Sequence, residues 1–279
     1  MPAEPSLQLD SVASLIRAIC DGAYGVLPEQ IAVVGASWIY QTTQFSASST
    51  KYQNRYLLLR VDAGFGACCH SEEQGQAHLA YELSGCSLRD LLCDPRLAVQ
   101  IAALDAYCAS VFPHSEVSTA QHILPAGSPI QRAQARDALI AELIDVQPGQ
   151  QVALIGVVNP LVQAIRDRGA HCLPCDLTLR TTQWGDPIEP DMERVLAQAD
   201  AVIATGMTLS NGSFDRLIER VRERDLPLLV YAQTGSAIVP RFLGQGVQAV
   251  LAEPFPFSQF SAAASSLFSY QQLASLSDV

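Results

Sequence analysis

Residues 204–213, ATGMTLSNGS, place Thr205, Gly206, Thr208, Ser210, Asn211, Gly212 and Ser213 behind the apolar run Ala201-Val202-Ile203 and ahead of the helical pattern FDRLIERVRER. A turn that only caps a helix needs one short polar side chain, Asn211 or Ser213 here. The hydroxyl and amide groups of this stretch exceed that need, and its glycines allow the backbone a tight entry. Free N–H groups and a partial positive charge at a helix start would receive a carboxylate, a phosphate or a metal-bound anion. Two further turns follow apolar runs in the same way: GVVNPL, with Gly156, Asn159 and Pro160, and QTGS, with Thr234, Gly235 and Ser236.

Asp176 follows a second-strand pattern about twenty residues after Gly156, where a dinucleotide fold places its ribose-binding acid. The fingerprint G-x-G-x-x-G is absent, because Val157, Val158 and Pro160 follow Gly156 and oppose the approach of a pyrophosphate. Classical NAD binding is therefore disfavoured, and a metal ion is the other cofactor to weigh. Cys172 and Cys175 would point to opposite faces of a strand, which leaves Cys175 and Asp176 as the candidate metal pair. In GACCHSEE, the neighbours Cys68, Cys69, His70, Glu72 and Glu73 cannot all converge on one ion from a strand. A turn or strand end with incidental polar residues is the simpler reading. Neither G-x-S-x-G nor H-E-x-x-H occurs, and Lys51, the only lysine, falls in a polar stretch.

The elements that would position these residues differ between the two halves. In the first, Val12, Leu15, Ile16 and Ile19 recur at helical spacing within 10–21, and strand patterns at 31–40 and 55–64 flank a polar loop. Two helices follow, one capped by Ser87 and an Ala-rich one entered at Pro95. The stretch 113–129 reads as a linker. From there, apolar runs at 151–158, 171–177, 201–205, 226–232 and 249–253 alternate with amphipathic stretches, the pattern of a parallel sheet. Ligands bind such sheets outside the carboxyl ends of the strands, where the three small polar turns fall. The expected division is an α+β domain over 1–125 and a Rossmann-like domain over 126–279.

The net charge of −11 and scattered arginines exclude a nucleic-acid or anionic-membrane surface. No apolar stretch matches a membrane span and the start lacks a signal-peptide pattern, so the expectation is a soluble, cytoplasmic chain. Eight cysteines without a regular framework read as reduced residues. A homodimer is compatible with this class, although no segment marks an interface.

The segments VALIGVVNPLVQAIRDRGA, CDLTLRTTQWGD, ADAVIATGMTLSNGSFDRLIE and VYAQTGSAIVPRFLGQGVQAVLAE occur in the order of a family that this chain resembles. That family is domain of unknown function 364, named for heavy-metal chelation, with its N-terminal companion domain. The helical ELSGCSLRDLLCDPRLAVQIAALDAYCAS is similar to the companion. The resemblance implies an enolase N-terminal-like α+β domain, a Rossmann-like domain and a site in the cleft between them. It supports Gly156, Pro160, Asp176, Thr205, Gly206, Thr208, Asn211 and Gly212. It also marks Asp105 as a departure, since related proteins commonly carry asparagine there. Two functions follow as expectations. The first is a protein that binds a metal chelate or anionic metabolite, in metal homeostasis or metallophore handling. The second is an enzyme of metallophore-like biosynthesis with Asp176 or Asp105 as its acid–base group.

Overall fold

The computed structural model describes residues 7–44, 51–62, 64–70 and 78–272, so Glu72 and Glu73 of the cysteine-rich cluster lie outside the described residues. Helix α1 (Val12–Cys20) starts at Ser11, whose side chain accepts from Ser14 N, and buries Leu15 and Ile19. Strands β1 (Gly35–Gln44), β2 (Lys51–Val61) and β3 (Gly64–Cys69) form an antiparallel sheet in that order. The flanks of the polar stretch expected to loop between two short strands, residues 41–44 and 51–54, are instead carried into the ladder, Gln44 pairing with Lys51.

Helices α2 (Leu79–Leu83), α3 (Leu88–Leu92) and α4 (Leu97–Val111) follow, and Ser87 caps α3 as expected, accepting from Asp90 N. The Ala-rich α4 is buried from Ala98 to Cys108 apart from Gln100. Small side chains let it lie close against β3, and Gly66 is required for that approach. A β-carbon at position 66 would stand 2.1 Å from the Ala102 carbonyl oxygen.

The stretch read as a linker contains a helical turn, α5 (His114–Val117), and a strand, β4 (Ala120–Leu124). After α6 (Pro129–Leu143) come β5 (Gln151–Ile155), α7 (Asn159–Asp167), β6 (His171–Cys175), α8 (Met192–Leu196), β7 (Ala201–Thr205), α9 (Met207–Ser210), α10 (Phe214–Arg224), β8 (Leu228–Ala232), β9 (Ala249–Ala252) and β10 (Ser265–Gln271). The five strands expected from the apolar runs are all present. Between β8 and β9 the expected helix is a short 3-10 turn, Val239–Phe242.

The larger sheet has the order β4-β10-β9-β8-β7-β5-β6, parallel except at β10, which is antiparallel to both β4 and β9. β7, β8 and β9 are buried along their whole length, as parallel strands covered on both faces must be. Leu161, Val162 and Ile165 of α7 and Ile140 of α6 pack with Ile203 and Leu229 on one face. Leu196 of α8 and Phe214, Leu217 and Ile218 of α10 pack with Val202 and Val230 on the other, in a core continuous with α4. β5 therefore leads through α7 to β6 on one side, while β7 leads through α10 to β8 on the opposite face. Strand order reverses between β5 and β7, and a crevice opens beyond their carboxyl ends.

Candidate functional site

A cavity of about 420 Å³ lies at that crevice. Gly156, Val157, Val158, Asn159 and Pro160 form one wall after β5, Asp176 and Thr178 another after β6, and Thr205, Gly206 and Met207 a third after β7. Gln233 and Thr234 extend it after β8. The antiparallel sheet closes it from the other side with Gln41, Lys51, Gln53, Asn54, Tyr56 and Cys69, and α6 contributes Ala133 and Arg136.

The structure thus brings Gly156, Asn159, Pro160, Asp176, Thr205, Gly206 and Thr234 to one cavity and leaves the other sequence candidates outside its lining. Thr208 Oγ1 donates to Thr205 O at 2.9 Å and Ser210 Oγ to Met207 O at 2.9 Å, so both hydroxyls close the turn on itself. Asn211 Oδ1 accepts from Ser213 N at 3.0 Å and Ser213 Oγ at 2.6 Å, and Gly212 turns the chain at φ +76°. Neither Asn211 nor Ser213 caps α10 by the expected bond to its second or third N–H. Instead, Asn211 folds the entry as an Asx turn. Gly235 N donates to Ala67 O at 3.1 Å, and Ser236 Oγ lies 3.4 Å from His114 Nε2 within the core.

The two candidate acids have structural partners. Asp176 Oδ1 accepts from Thr178 N at 2.8 Å, Thr178 Oγ1 at 2.9 Å and Leu179 N at 3.0 Å, and its Oδ2 accepts from Val157 N at 3.1 Å. It ties the loop after β6 to the loop after β5. Asp105 is 1% exposed and sits inside α4, away from the cavity lining. Its oxygens accept from Ala67 N at 2.9 Å and Ala237 N at 2.8 Å, which bolts β3 to the segment after β8. Burial pushes its carboxyl up to about 7, although the backbone N–H donors favour the ionised form.

Cys175 turns into the core while Asp176 faces the cavity, so the candidate metal pair is separated. Burial pushes the Cys175 thiol up to about 12. Cys68 and Cys69 likewise part to opposite sides of β3, and only Cys69 reaches the cavity, its thiol pushed up to about 11 by burial. Among the described residues, no three His, Cys, Asp or Glu side chains form a group that could hold a metal ion.

Sequence reasoning missed the polar network under the cavity. Arg136 Nε donates to Asp137 Oδ1 at 2.8 Å, and its guanidinium carbon lies 4.9 Å from the centre of the Tyr231 ring. Burial works against the charge of Arg136, but Tyr231, Asp137 and Glu253 hold it firmly protonated. Buried Glu253 accepts from Tyr231 Oη, Ser258 N and, at 3.0 Å, Gln233 Nε2. Gln259 Nε2 donates to Tyr56 Oη at 2.9 Å and to Gln233 Oε1 at 3.2 Å, which links the two sheets across the cavity floor. One signal was available: Tyr231, Gln233 and Glu253 are polar groups at or just past the ends of apolar runs, on the edge already marked for ligands. Arg136 gave no such signal, because its site depends on how α6 crosses the sheet.

Residues 138–248 match the family model DUF364, described as "Putative heavy-metal chelation". The chain is similar to the crystal structure of a DUF364-family protein of unknown function from Desulfitobacterium hafniense. The identity is 16%, 92% of this chain and 98% of that chain are covered, and the TM-score is 0.63. A DUF364-family structure of unknown function from Pyrococcus horikoshii is similar at 13% identity, covering 92% of this chain and 100% of that chain with a TM-score of 0.53. These likenesses show the fold. No curated protein matches the chain.

Proposed function

We propose, for a chain whose residues 138–248 match the DUF364 domain, that the crevice holds a metal chelate or an anionic metabolite, in a role in metal homeostasis or metallophore handling. The observation that carries this reading is the cavity of about 420 Å³ at the reversal of strand order, with Arg136 and the only lysine, Lys51, in its lining. That volume lies within the range of small-molecule sites, roughly 300–1,000 Å³. Two cations in the lining of a chain of net charge −11 favour a ligand with an anionic group.

The described residues do not fit a metal held by protein ligands alone, since Cys175 faces the core and Asp176 is engaged by four donors. Metal would arrive with its own organic ligands, and the amides and hydroxyls of Gln53, Asn54, Gln233 and Thr234 suit recognition of such a shell. The biosynthetic reading gains nothing from Asp105, which lies outside the lining. Native mass spectrometry of the purified protein, followed by calorimetry with nickel–citrate and with citrate alone, tests the proposal. A copurified chelate or anionic metabolite, or saturable heat with either probe, is the expected result. A chain that carries no ligand and gives no heat with either overturns it.

A further inference from the structure

We infer that the crevice seats a carboxylate of its ligand between Thr205 Oγ1 and the Arg136 guanidinium. This rests on the ligand-binding reading above and specifies the chemistry of its anionic end. Thr205 is 7% exposed, lines the cavity, and its Oγ1 is buried without a hydrogen-bond partner. A buried hydroxyl left unpaired costs free energy that a satisfied one does not. The same turn satisfies its other hydroxyls internally, Thr208 on Thr205 O and Ser210 on Met207 O. The unpaired group belongs to the one of these three residues that lines the cavity.

Its surroundings select the partner. Thr205 Oγ1 lies against Gly156, where a β-carbon would stand 2.3 Å from it. In register on the next strand is Tyr231, and the Arg136 guanidinium covers that ring. Among the described residues Arg136 makes one hydrogen bond, from Nε to Asp137, so its terminal nitrogens are free of protein acceptors. Asp137 and Glu253 lie outside the cavity lining. Glu253 already takes three donors. Asp137 pairs with the guanidinium on its Nε side, so an oxyanion would meet the terminal nitrogens as hydrogen-bond donors.

A phosphate fits less well than a carboxylate. Phosphate cradles present successive free backbone N–H groups. The turn after β5 offers no such run, since Gly156 N is committed to Cys175 O at 2.9 Å and Val157 N to Asp176 Oδ2 at 3.1 Å, while Pro160 has no N–H. One hydroxyl and the end of one guanidinium match the two oxygens of a planar carboxylate.

Malonate titrated against the full chain by NMR, with inorganic phosphate as the competing probe, tests the inference. Wild type should bind malonate more tightly than phosphate. Thr205→Val should weaken malonate by about 10-fold or more, the usual effect of losing a hydrogen bond to a charged group. Thr205→Ser should retain binding. The melting temperature of Thr205→Val should hold or rise, because an unpaired polar atom has been removed. A role confined to the fold would instead lower it and leave affinity unchanged. Failure of malonate to bind, indifference to Thr205→Val, or tighter binding of phosphate overturns the carboxylate subsite. If nickel–citrate still binds in any of those cases, the ligand-binding reading survives without it; if it does not bind either, both fail.

Discussion

Two buried polar clusters flank the crevice. Around Asp105, each carboxylate oxygen has a backbone N–H, and the aspartate joins strand, helix and loop with no surface on the cavity. Around Arg136, the charges are also buried, but Asp137 Oδ2 and Thr205 Oγ1 lack partners and the guanidinium borders open space. A satisfied buried cluster holds a fold together, whereas one with groups left over beside a cavity is suited to a ligand. The contrast sorts the carboxylates more sharply than proximity in sequence does.

The largest effect should come from breaking the satisfied cluster. Asp105→Ala would strand the N–H groups of Ala67 and Ala237 in a dry interior, at about 1–3 kcal/mol each, and urea unfolding should show a loss of about 2–6 kcal/mol. Asp105→Asn should fall between, because one of its two terminal atoms is an amide nitrogen facing a donor. Titration adds a second test. Below pH 3.8 the carboxyl is protonated folded and unfolded, while between 3.8 and about 7 the unfolded chain has released the proton and the folded chain retains it. Stability contributed by this group should therefore decline as pH rises through that window and level off above it. Asp105→Asn should flatten the slope; an unchanged slope would assign the pH dependence elsewhere.

Breaking the other cluster should separate stability from binding. Arg136→Met leaves Asp137 buried without its partner, a loss of about 3–5 kcal/mol. Arg136→Met with Asp137→Leu removes both charges and should recover much of that stability. Ligand affinity should remain lost in both variants, measured with nickel–citrate by calorimetry. Recovery of binding together with stability would make Arg136 a structural residue and dissolve the contrast.

The same contrast explains which features were legible in the sequence. Buried parallel strands are continuous apolar runs, so β5 to β9 could be read from their ends, and the edge they share located the crevice. The antiparallel β4 and β10 were not legible, because the paired faces of AQHIL and SSLFSYQ carry polar residues that resemble loops. Within the candidate segment, Thr205, Gly206 and Met207 line the cavity and 208–213 do not, although Thr205 and Gly206 are of the same small polar types as Thr208, Ser210, Gly212 and Ser213. Composition reports that a turn is polar; only the chain path decides which hydroxyl meets solvent, backbone or ligand. Arg136 was beyond reach for a related reason, since its stacking on Tyr231 joins residues 95 positions apart.

The smallest effect tests the contact between the β5 and β7 turns. Gly156 has φ +88°, a conformation that costs an L-residue about 1–3 kcal/mol. Gly156→Ala adds to this a β-carbon 2.3 Å from Thr205 Oγ1 and 3.2 Å from its Cγ2. Thr205→Ala removes both of those atoms, so the double variant should be less destabilised than the sum of the two singles, by about 1 kcal/mol. Denaturant unfolding of the four proteins measures that coupling. Additivity would mean that the turns are strained independently. A positive coupling would show that the glycine is needed because the Thr205 side chain packs directly against the β5 turn, beside the proposed ligand seat.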